Sequence, residues 1–437
     1  MVRMKILFVH PNFPAQFRHM AAALGRAEHR HEVVFITAAP HRDWSIPGVR
    51  TVRYAPDSCG GALPQQGTGA YFARCTAVGS GVFSACRALR AEGFEPDVMV
   101  AHSGWGSSYF LRDAFPQARL LSYFEWYYNA AGADVGFDPQ EPVTDAMRLA
   151  LRTRNAVILN DAAECDWSYT PTRWQASQFP AVARARMSVL HDGVDTGFFI
   201  PAADKAQTAA ALLRGLGVAW TPRTRLVTWA GRGMEPYRGF VQVMEALPAI
   251  VAHNPDVHVL MVGEDRVCYG RRPPSGSGWK QVMLERIAPL MPAGEAVERR
   301  IHFTGALPYG VYKTVLQASD VHMYLTRPFV LSWSMLEAMS CGALLVGSDT
   351  QPVREVLTHG ENGFLVPFFA PQALADTVCA CLDRLDDLAP VRARARETVT
   401  GRYALARTLP AQLRMLHNLA EGKPALDGLL PVSAGRR

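Results

Sequence analysis

From residue 225 onward the chain repeats one unit: a short apolar run of strand character, a loop, and a longer segment with helical period. The apolar runs are 225–230, 257–262, 301–304, 321–325, 344–347 and 364–367; the helical segments are 240–252, 279–288, 309–318, 335–341, 351–357 and 371–385. Strands and helices that alternate at this pace imply a parallel sheet, because the helix is the crossover that brings the chain back to the same edge. The reading is therefore α/β, with a doubly wound sheet.

The earlier part reads the same way. Strands are expected at 4–10, 32–37, 50–54, 97–101, 119–124, 156–160 and 187–190, with helices at 16–26, at 71–92 and from 170. A glycine- and glutamine-rich loop, 60–69, leads into the second of these helices. A length of 437 residues exceeds what one core supports. Two Rossmann-like domains facing a central cleft are expected, at 1–201 and 202–400, with 201–207 as linker, a helix at 401–421 and a tail at 422–437. A cleft between two such layers is the expected ligand site.

Composition narrows the class. Hydrophobic residues make up 49% and charged residues 19%, as in an ordinary globular protein, and no stretch approaches a membrane span. The apolar run after Lys5 is cut short by His10 and Pro11, too early for a signal-peptide core, so a cytoplasmic location is expected. Eight scattered cysteines lack paired Cys-x2-Cys spacing, which supports neither a zinc site nor a disulfide framework. The net charge of +6 suits anionic partners and is compatible with weak peripheral contact with an anionic membrane. Nucleic acid is not indicated, because no basic stripe with interleaved aromatics is present and the arginines of 384–402 read as a solvated helix face.

Chemistry concentrates in loops at strand ends, which in such sheets line the crevice. The loop 328–334 precedes a helix whose start is capped by Ser332 or Ser334. Backbone amides of Val330, Leu331, Ser332 and Trp333, at the positive end of that helix, suit a phosphate. Glu337, read in the first helical turn, is either a favourable dipole partner or a carboxylate that accepts from the vicinal diol of a ribose. Arg232 and Arg238 flank the loop after 225–230; two close cations are best satisfied by a diphosphate between them, unless Glu235 neutralises one at the surface. Glu264 and Gly305 end the next two strands, and the insertion 266–278 reads as a loop at the cleft mouth. In the first half, His10, Asn12 and Gln16 sit on a loop whose prolines remove backbone donors, so the loop is either a rigid structural turn or one that contacts substrate through these side chains. His102 and Glu125 end two strands read as neighbours, and either can serve as acceptor-activating or sugar-binding group. The loop 132–139 is read as an acceptor loop.

The run Leu336-Glu337-Ala338-Met339-Ser340-Cys341-Gly342 resembles the signature of the retaining group-1 (family 4) glycosyltransferases, written Glu-x7-Glu and followed by an Ala-Met-x-x-Gly turn. The first half of that signature departs: Phe329 stands eight residues before Glu337, where the family has the Glu that contacts the donor sugar. The Arg232/Arg238 pair resembles the family's Arg and Lys, and Glu125 stands where a His is usual. The resemblance implies a GT-B fold, last helices that cross back onto the first domain, and a Glu264 turn and Gly305 loop near the base. It also implies transfer of a hexosyl group from a nucleoside-diphosphate sugar, with retention of configuration, to a glycan, lipid-linked or protein acceptor in bacterial polysaccharide or glycoconjugate synthesis. No cofactor is called for, and no metal, since the arginines can neutralise the diphosphate and no Asp-x-Asp pair is present. Alternatives are a nucleotide-sugar epimerase or hydrolase, and a non-catalytic nucleotide-sugar-binding protein prompted by Phe329. A pyridoxal-phosphate phosphorylase lacks a convincingly placed lysine.

Overall fold

The structure is a computed structural model that describes residues 3–26, 31–38, 45–58, 67–273 and 276–425. Most of the 60–69 loop, most of the 422–437 tail, Cys59 and Pro274 lie outside the described residues.

The chain forms two compact units, residues 1–192 with 406–437, and residues 193–405. The first contains β1 (Lys5–Val9), β2 (Glu32–Thr37), β3 (Val49–Arg53), β4 (Val98–His102), β5 (Arg119–Tyr123), β6 (Trp167–Thr170) and β7 (Met187–Val189). They form one sheet in the order β3-β2-β1-β4-β5-β6-β7, and every pairing is parallel. The second unit contains β8 (Arg225–Gly233), β9 (Val257–Glu264), β10 (Ile301–Gly305), β11 (Val321–Tyr324), β12 (Leu344–Ser348) and β13 (Phe364–Val366). Its order is β10-β9-β8-β11-β12-β13, again all parallel. In each sheet the winding reverses once, between β1 and β4 and between β8 and β11. Such a switch point opens a crevice at the carboxyl ends of the strands.

Strand period explains the packing of the first unit. Successive side chains point to opposite faces, so Leu7 and Val9 join one buried cluster with Val34, Ile36, Met99 and Ala101. Ile6 and Phe8 join the other with Val33, Phe35, Val98 and Val100. The helix Leu405–Ala420 covers that second face with Met415, Leu416 and Leu419. Each fully buried side chain of this kind contributes about 1.5–3 kcal/mol relative to exposure.

The chain leaves the first unit at Asp192/Gly193 rather than at 201/202, and returns at Leu405/Ala406. Val194 and Ala404 form an isolated parallel bridge beside these crossings, and residues 191–195 are divided between the units.

Two local readings are corrected. Residues 156–160 are not a strand but lie inside the helix Asp145–Glu164, which starts at an N-cap where the Thr144 side chain accepts from the Met147 N–H. Its buried residues Asn155, Ile158, Asp161 and Ala162 recur at three- and four-residue spacing, the helical period that a five-residue apolar window cannot reveal. The strand that lies at that place in the sheet is β6, with Ser168 and Thr170 buried despite their polarity. The range read as linker runs into a helix, Lys205–Arg214, capped by Asp204 accepting from the Gln207 N–H.

Candidate functional site

At the switch point of the second sheet, β8 runs into a short 3-10 turn, Pro236–Arg238, and then into the helix Phe240–His253. Gly239 joins them with φ +66°, and a Cβ there would lie 2.3 Å from the Cβ of Leu325, so conformation and space both require glycine. This close approach brings the β8 loop against the loop after β11. The Arg238 guanidinium bridges the two: Nη1 donates to Thr326 Oγ1 at 2.9 Å and to the Val330 carbonyl at 2.8 Å. Arg232 is exposed near the end of β8 and makes no hydrogen bond or ion pair among the described residues.

Glu235 does not neutralise an arginine at the surface. It is 1% exposed, and its Oε2 accepts the backbone N–H groups of Cys268 and Tyr269. Burial raises its carboxyl above the usual range, against the pull of those two donors and of Arg238 and Arg232. Its physical effect is to hold the 266–273 segment onto the arginine loop. Phe329 adds to the same contact. It is buried, with its ring 5.1 Å from Tyr269 and 5.5 Å from Tyr237, and Arg238 lies 5.8 Å from its centroid. An aromatic anchor thus occupies the position where the resemblance places a carboxylate.

The helix after β11 starts at Trp333, capped by the Ser332 side chain, so Glu337 stands in the second turn and not the first. A dipole partner would belong in the first turn, so this placement weakens that reading. Glu337 is 5% exposed, and Oε1 accepts from the Tyr309 hydroxyl. Tyr312 reaches the same carboxylate; burial first, and then Glu337, hold its hydroxyl well above the usual tyrosine value. The two rings, on the helix Tyr309–Ala318, fix the carboxylate from one side. Of the four expected loop amides, that of Ser332 is already taken, because it donates to the Tyr324 hydroxyl at 2.8 Å. The Val330 carbonyl is taken by Arg238, and Leu331 is buried in the core. Glu264 ends β9 and pairs with Arg266, while Gly305 ends β10 with φ +69°.

At the switch point of the first sheet two imidazoles meet. His10 follows β1, His102 ends β4, and their rings stand edge to face with centroids 4.8 Å apart. The Asn12 backbone N–H donates to His10 Nδ1 at 2.9 Å, while the Asn12 side chain is exposed. His102 Nδ1 lies 2.8 Å from the Ser103 carbonyl, which only accepts, so Nδ1 carries the proton. Nε2 of this 2%-exposed ring then faces Glu125 Oε2 across 3.7 Å. Glu125 is held at both ends: Gln16 Nε2 donates to Oε1 at 3.0 Å, and Gln175 Nε2 donates to its backbone carbonyl at 2.8 Å. Gln16 is thus drawn to the carboxylate. Ala15, in the same loop, has φ +45°, a left-handed conformation unusual for a residue with a Cβ.

Three residues of this arrangement were not read from the sequence. Gln175 is fully buried and bonded to Thr172 as well as to Glu125. Asp161 accepts from Ser103 Oγ at 2.7 Å and from the Gly104 N–H at 3.2 Å, fixing the loop whose carbonyl orients His102. Burial lifts its carboxyl to about 6, opposed by hydrogen bonds from Ser103, Ser108 and Gly104. Trp105, 42% exposed, stands in that loop with its ring 6.3 Å from His102.

Residues 29–199 match the model of the glycosyl transferase family 4 group, and residues 224–384 match that of the glycosyl transferases group 1. Among curated proteins, D-inositol 3-phosphate glycosyltransferase of Corynebacterium glutamicum is 26% identical over 243 residues, 56% of this chain and 54% of that protein. Phosphatidyl-myo-inositol mannosyltransferase of Mycolicibacterium smegmatis is 29% identical over 202 residues, 45% of this chain and 46% of that protein. The chain thus spans about half the length of these curated relatives. Among solved structures, a sucrose-phosphate synthase of Thermosynechococcus elongatus superposes with a TM-score of 0.70 at 19% identity, covering 96% of this chain and 100% of that one. A glycosyltransferase of Rickettsia africae gives 0.69 at 16% identity, covering 97% and 100%. These likenesses show the GT-B fold. With residues 29–199 and 224–384 matched by two glycosyltransferase models, one of the family 4 group and one of group 1, and with the signature run around Glu337 on the helix that follows β11, the chain belongs to the group-1, family 4 glycosyltransferases.

Proposed function

We propose that the protein transfers a hexosyl group from a nucleoside-diphosphate sugar to an acceptor with retention of anomeric configuration. The observation that carries this reading is the pair of guanidinia at the β8/β11 switch point. Arg238 is tethered there by Thr326 and Val330, and the exposed Arg232 side chain makes no hydrogen bond or ion pair among the described residues. In the reaction the bond from the anomeric carbon to the diphosphate oxygen breaks, and the acceptor oxygen bonds that carbon on the same face. The acceptor proton passes to the departing phosphate oxygen. Negative charge grows on the diphosphate as it leaves, and fixed cations that hold it more strongly at that stage lower the barrier. The guanidinia can do this without a metal, and no cofactor is required. Glu337, steadied by Tyr309, holds the ribose diol; amides of the 330–333 loop other than that of Ser332 assist at the phosphates. Glu264 and Gly305 lie toward the base.

In the first unit, His102 Nε2 and Glu125 Oε2 are two acceptors 3.7 Å apart. An imidazole nitrogen and a carboxylate oxygen at that separation can accept from neighbouring hydroxyls of a sugar ring, or share a proton. This supports the first unit as the side that meets the sugar and acceptor hydroxyls, with His10 behind His102. Among the described residues no helix is long and apolar enough to cross a membrane. We place the reaction in the cytoplasm.

A screen of UDP-, GDP-, ADP- and dTDP-sugars tests the reading, following nucleotide release by the protein and by Glu337→Ala and Arg238→Ala variants. Release of one nucleoside diphosphate with the anomer retained, lost in both variants, is the expected result. Release without acceptor is slow for a transferase; rapid multiple turnover or sugar isomerisation in the same screen identifies a hydrolase or epimerase, binding without release identifies a sensor, and failure to bind any nucleotide overturns the donor assignment.

A further inference from the structure

Trp105 is the one exposed tryptophan among the described residues, at 42%, and no step of the chemistry above uses it. Among the described residues its one ring contact is with His102, centroids 6.3 Å apart and planes inclined at 52°, and its indole N–H has no hydrogen-bond partner. A single exposed apolar side chain is ordinary on a protein surface. Two things set this one apart: the backbone that presents it is fixed, and its neighbours are polar acceptors.

The backbone is held on both sides of the indole. Before it, Ser103 Oγ and the Gly104 N–H donate to Asp161 Oδ2 at 2.7 and 3.2 Å, and the Gly104 carbonyl accepts the Tyr71 hydroxyl at 2.5 Å. After it, the chain lies against the helix Ala70–Ala91, where a Cβ on Gly106 would stand 2.1 Å from the Cys75 carbonyl oxygen. Gly104 and Gly106 have φ +90° and +83°, so Trp105 sits between two left-handed turns that only glycine makes readily. The loop stays packed while the ring between the turns is left in water. A face presented this way needs no ordering when a ligand covers it.

The neighbours say what such a ligand carries. His102 Nε2 and Glu125 Oε2 are 3.7 Å apart, and the Glu125 side chain is 25% exposed against 2% for His102. Glu125 is therefore the member of that pair that a ligand meets first, and an ionised carboxylate only accepts. A flat apolar face beside an acceptor matches a molecule with the same two sides. A pyranose has them: its axial C–H groups form an apolar face that suits the negative face of an indole, and hydroxyl donors project from its rim. An open-chain polyol has the hydroxyls without a rigid face, and a nucleobase has the face without the hydroxyls.

We propose that Trp105 is the platform on which a pyranose ring of the acceptor stacks, with the hydroxyls of that ring directed to Glu125. The acceptor is then a saccharide, not a simple alcohol or linear polyol. This rests on the first unit being the acceptor side.

The test is fluorine NMR of the protein labelled with fluorotryptophan, in which the Trp105 signal is the one missing from Trp105→Phe. The probes are the methyl pyranosides of glucose, mannose, galactose and N-acetylglucosamine in both anomeric forms, with sorbitol and adenine as controls. At least one glycoside is expected to shift the Trp105 signal saturably. Its affinity, followed by ligand-observed saturation transfer, is expected to fall about 5- to 20-fold in Trp105→Ala and less in Trp105→Phe, which keeps an aromatic face. In Glu125→Ala it is expected to fall about tenfold. No glycoside shifting the signal, sorbitol or adenine shifting it as strongly, or an affinity untouched in Trp105→Ala or in Glu125→Ala overturns the inference. Failure of the transferase reading shows separately, as glycoside binding at Trp105 in a protein that binds no nucleotide in the donor screen.

Discussion

Where the strand order turns back, the first sheet carries two imidazoles and a carboxylate, His10, His102 and Glu125, whereas the second carries two guanidinia, Arg232 and Arg238. The backbone is the same at both places: a central strand paired on each side, all parallel. What differs is how each loop leaves its strand. After β8, Gly239 lets the chain press against Leu325, so that Arg238 reaches across to the loop after β11. After β1, a proline-flanked loop presents side chains in place of amides, and Gln16 and Gln175 fix a carboxylate opposite His102. In the reading proposed above, one topology thus supports a site complementary to anions and a site complementary to hydroxyl donors. The identity of the loop side chains, not the sheet, sets the chemistry.

The comparison predicts separable failures. Arg238→Ala has the largest effect: transfer falls about 10²- to 10³-fold, as when a fixed transition-state partner is removed, with the melting temperature little changed. A loss under tenfold in steady-state kinetics would break the assignment of charge to the second site. Glu125→Gln keeps the shape and removes an acceptor charge, and is expected to lower kcat about 10- to 100-fold while leaving nucleotide affinity as it was. Glu337→Ala shows the reverse pattern, weakening nucleoside diphosphate binding about tenfold in equilibrium titration.

The smallest effect concerns Asp161 and sharpens the contrast in the first unit. Burial pushes its folded carboxyl up to about 6, above the ordinary value of 3.8. Stability from holding that proton is full below the unfolded value and is lost as the pH rises through the folded one. Between about pH 4 and 7 the protein is expected to lose on the order of 1–3 kcal/mol relative to Asp161→Asn. Denaturant unfolding across that range checks it, and parallel curves for the two proteins would remove Asp161 as a buried proton holder.

The alternation of strands and helices in the second half was legible because its strands are short and mostly apolar and helices such as Phe240–His253 and Pro371–Asp383 are long enough to show their period. The same rule misled at 156–160, where Ala156 to Asn160 is too short a window to tell a buried strand from one face of the Asp145–Glu164 helix. Residue types at strand ends pointed to Arg232, Arg238, His102 and Glu125 as crevice residues. The partners that hold them were not legible, because they come from far along the chain. Gln175 meets Glu125 across 50 residues, Asp161 meets Ser103 across 58, and Tyr309 meets Glu337 across 28. Spacing encodes local period, whereas these contacts depend on which loops the sheet order brings side by side. Glu235 shows the same limit: its neighbours in sequence are arginines, yet its carboxylate is engaged by amides of the 266–273 segment.

The central claim is the division of labour between the two switch points, and its most direct measurement is nucleoside diphosphate affinity by calorimetry in the unaltered protein, Arg238→Ala and Glu125→Gln. The account predicts binding that is lost in Arg238→Ala and unchanged in Glu125→Gln. Loss in Glu125→Gln, or full binding in Arg238→Ala, would contradict it.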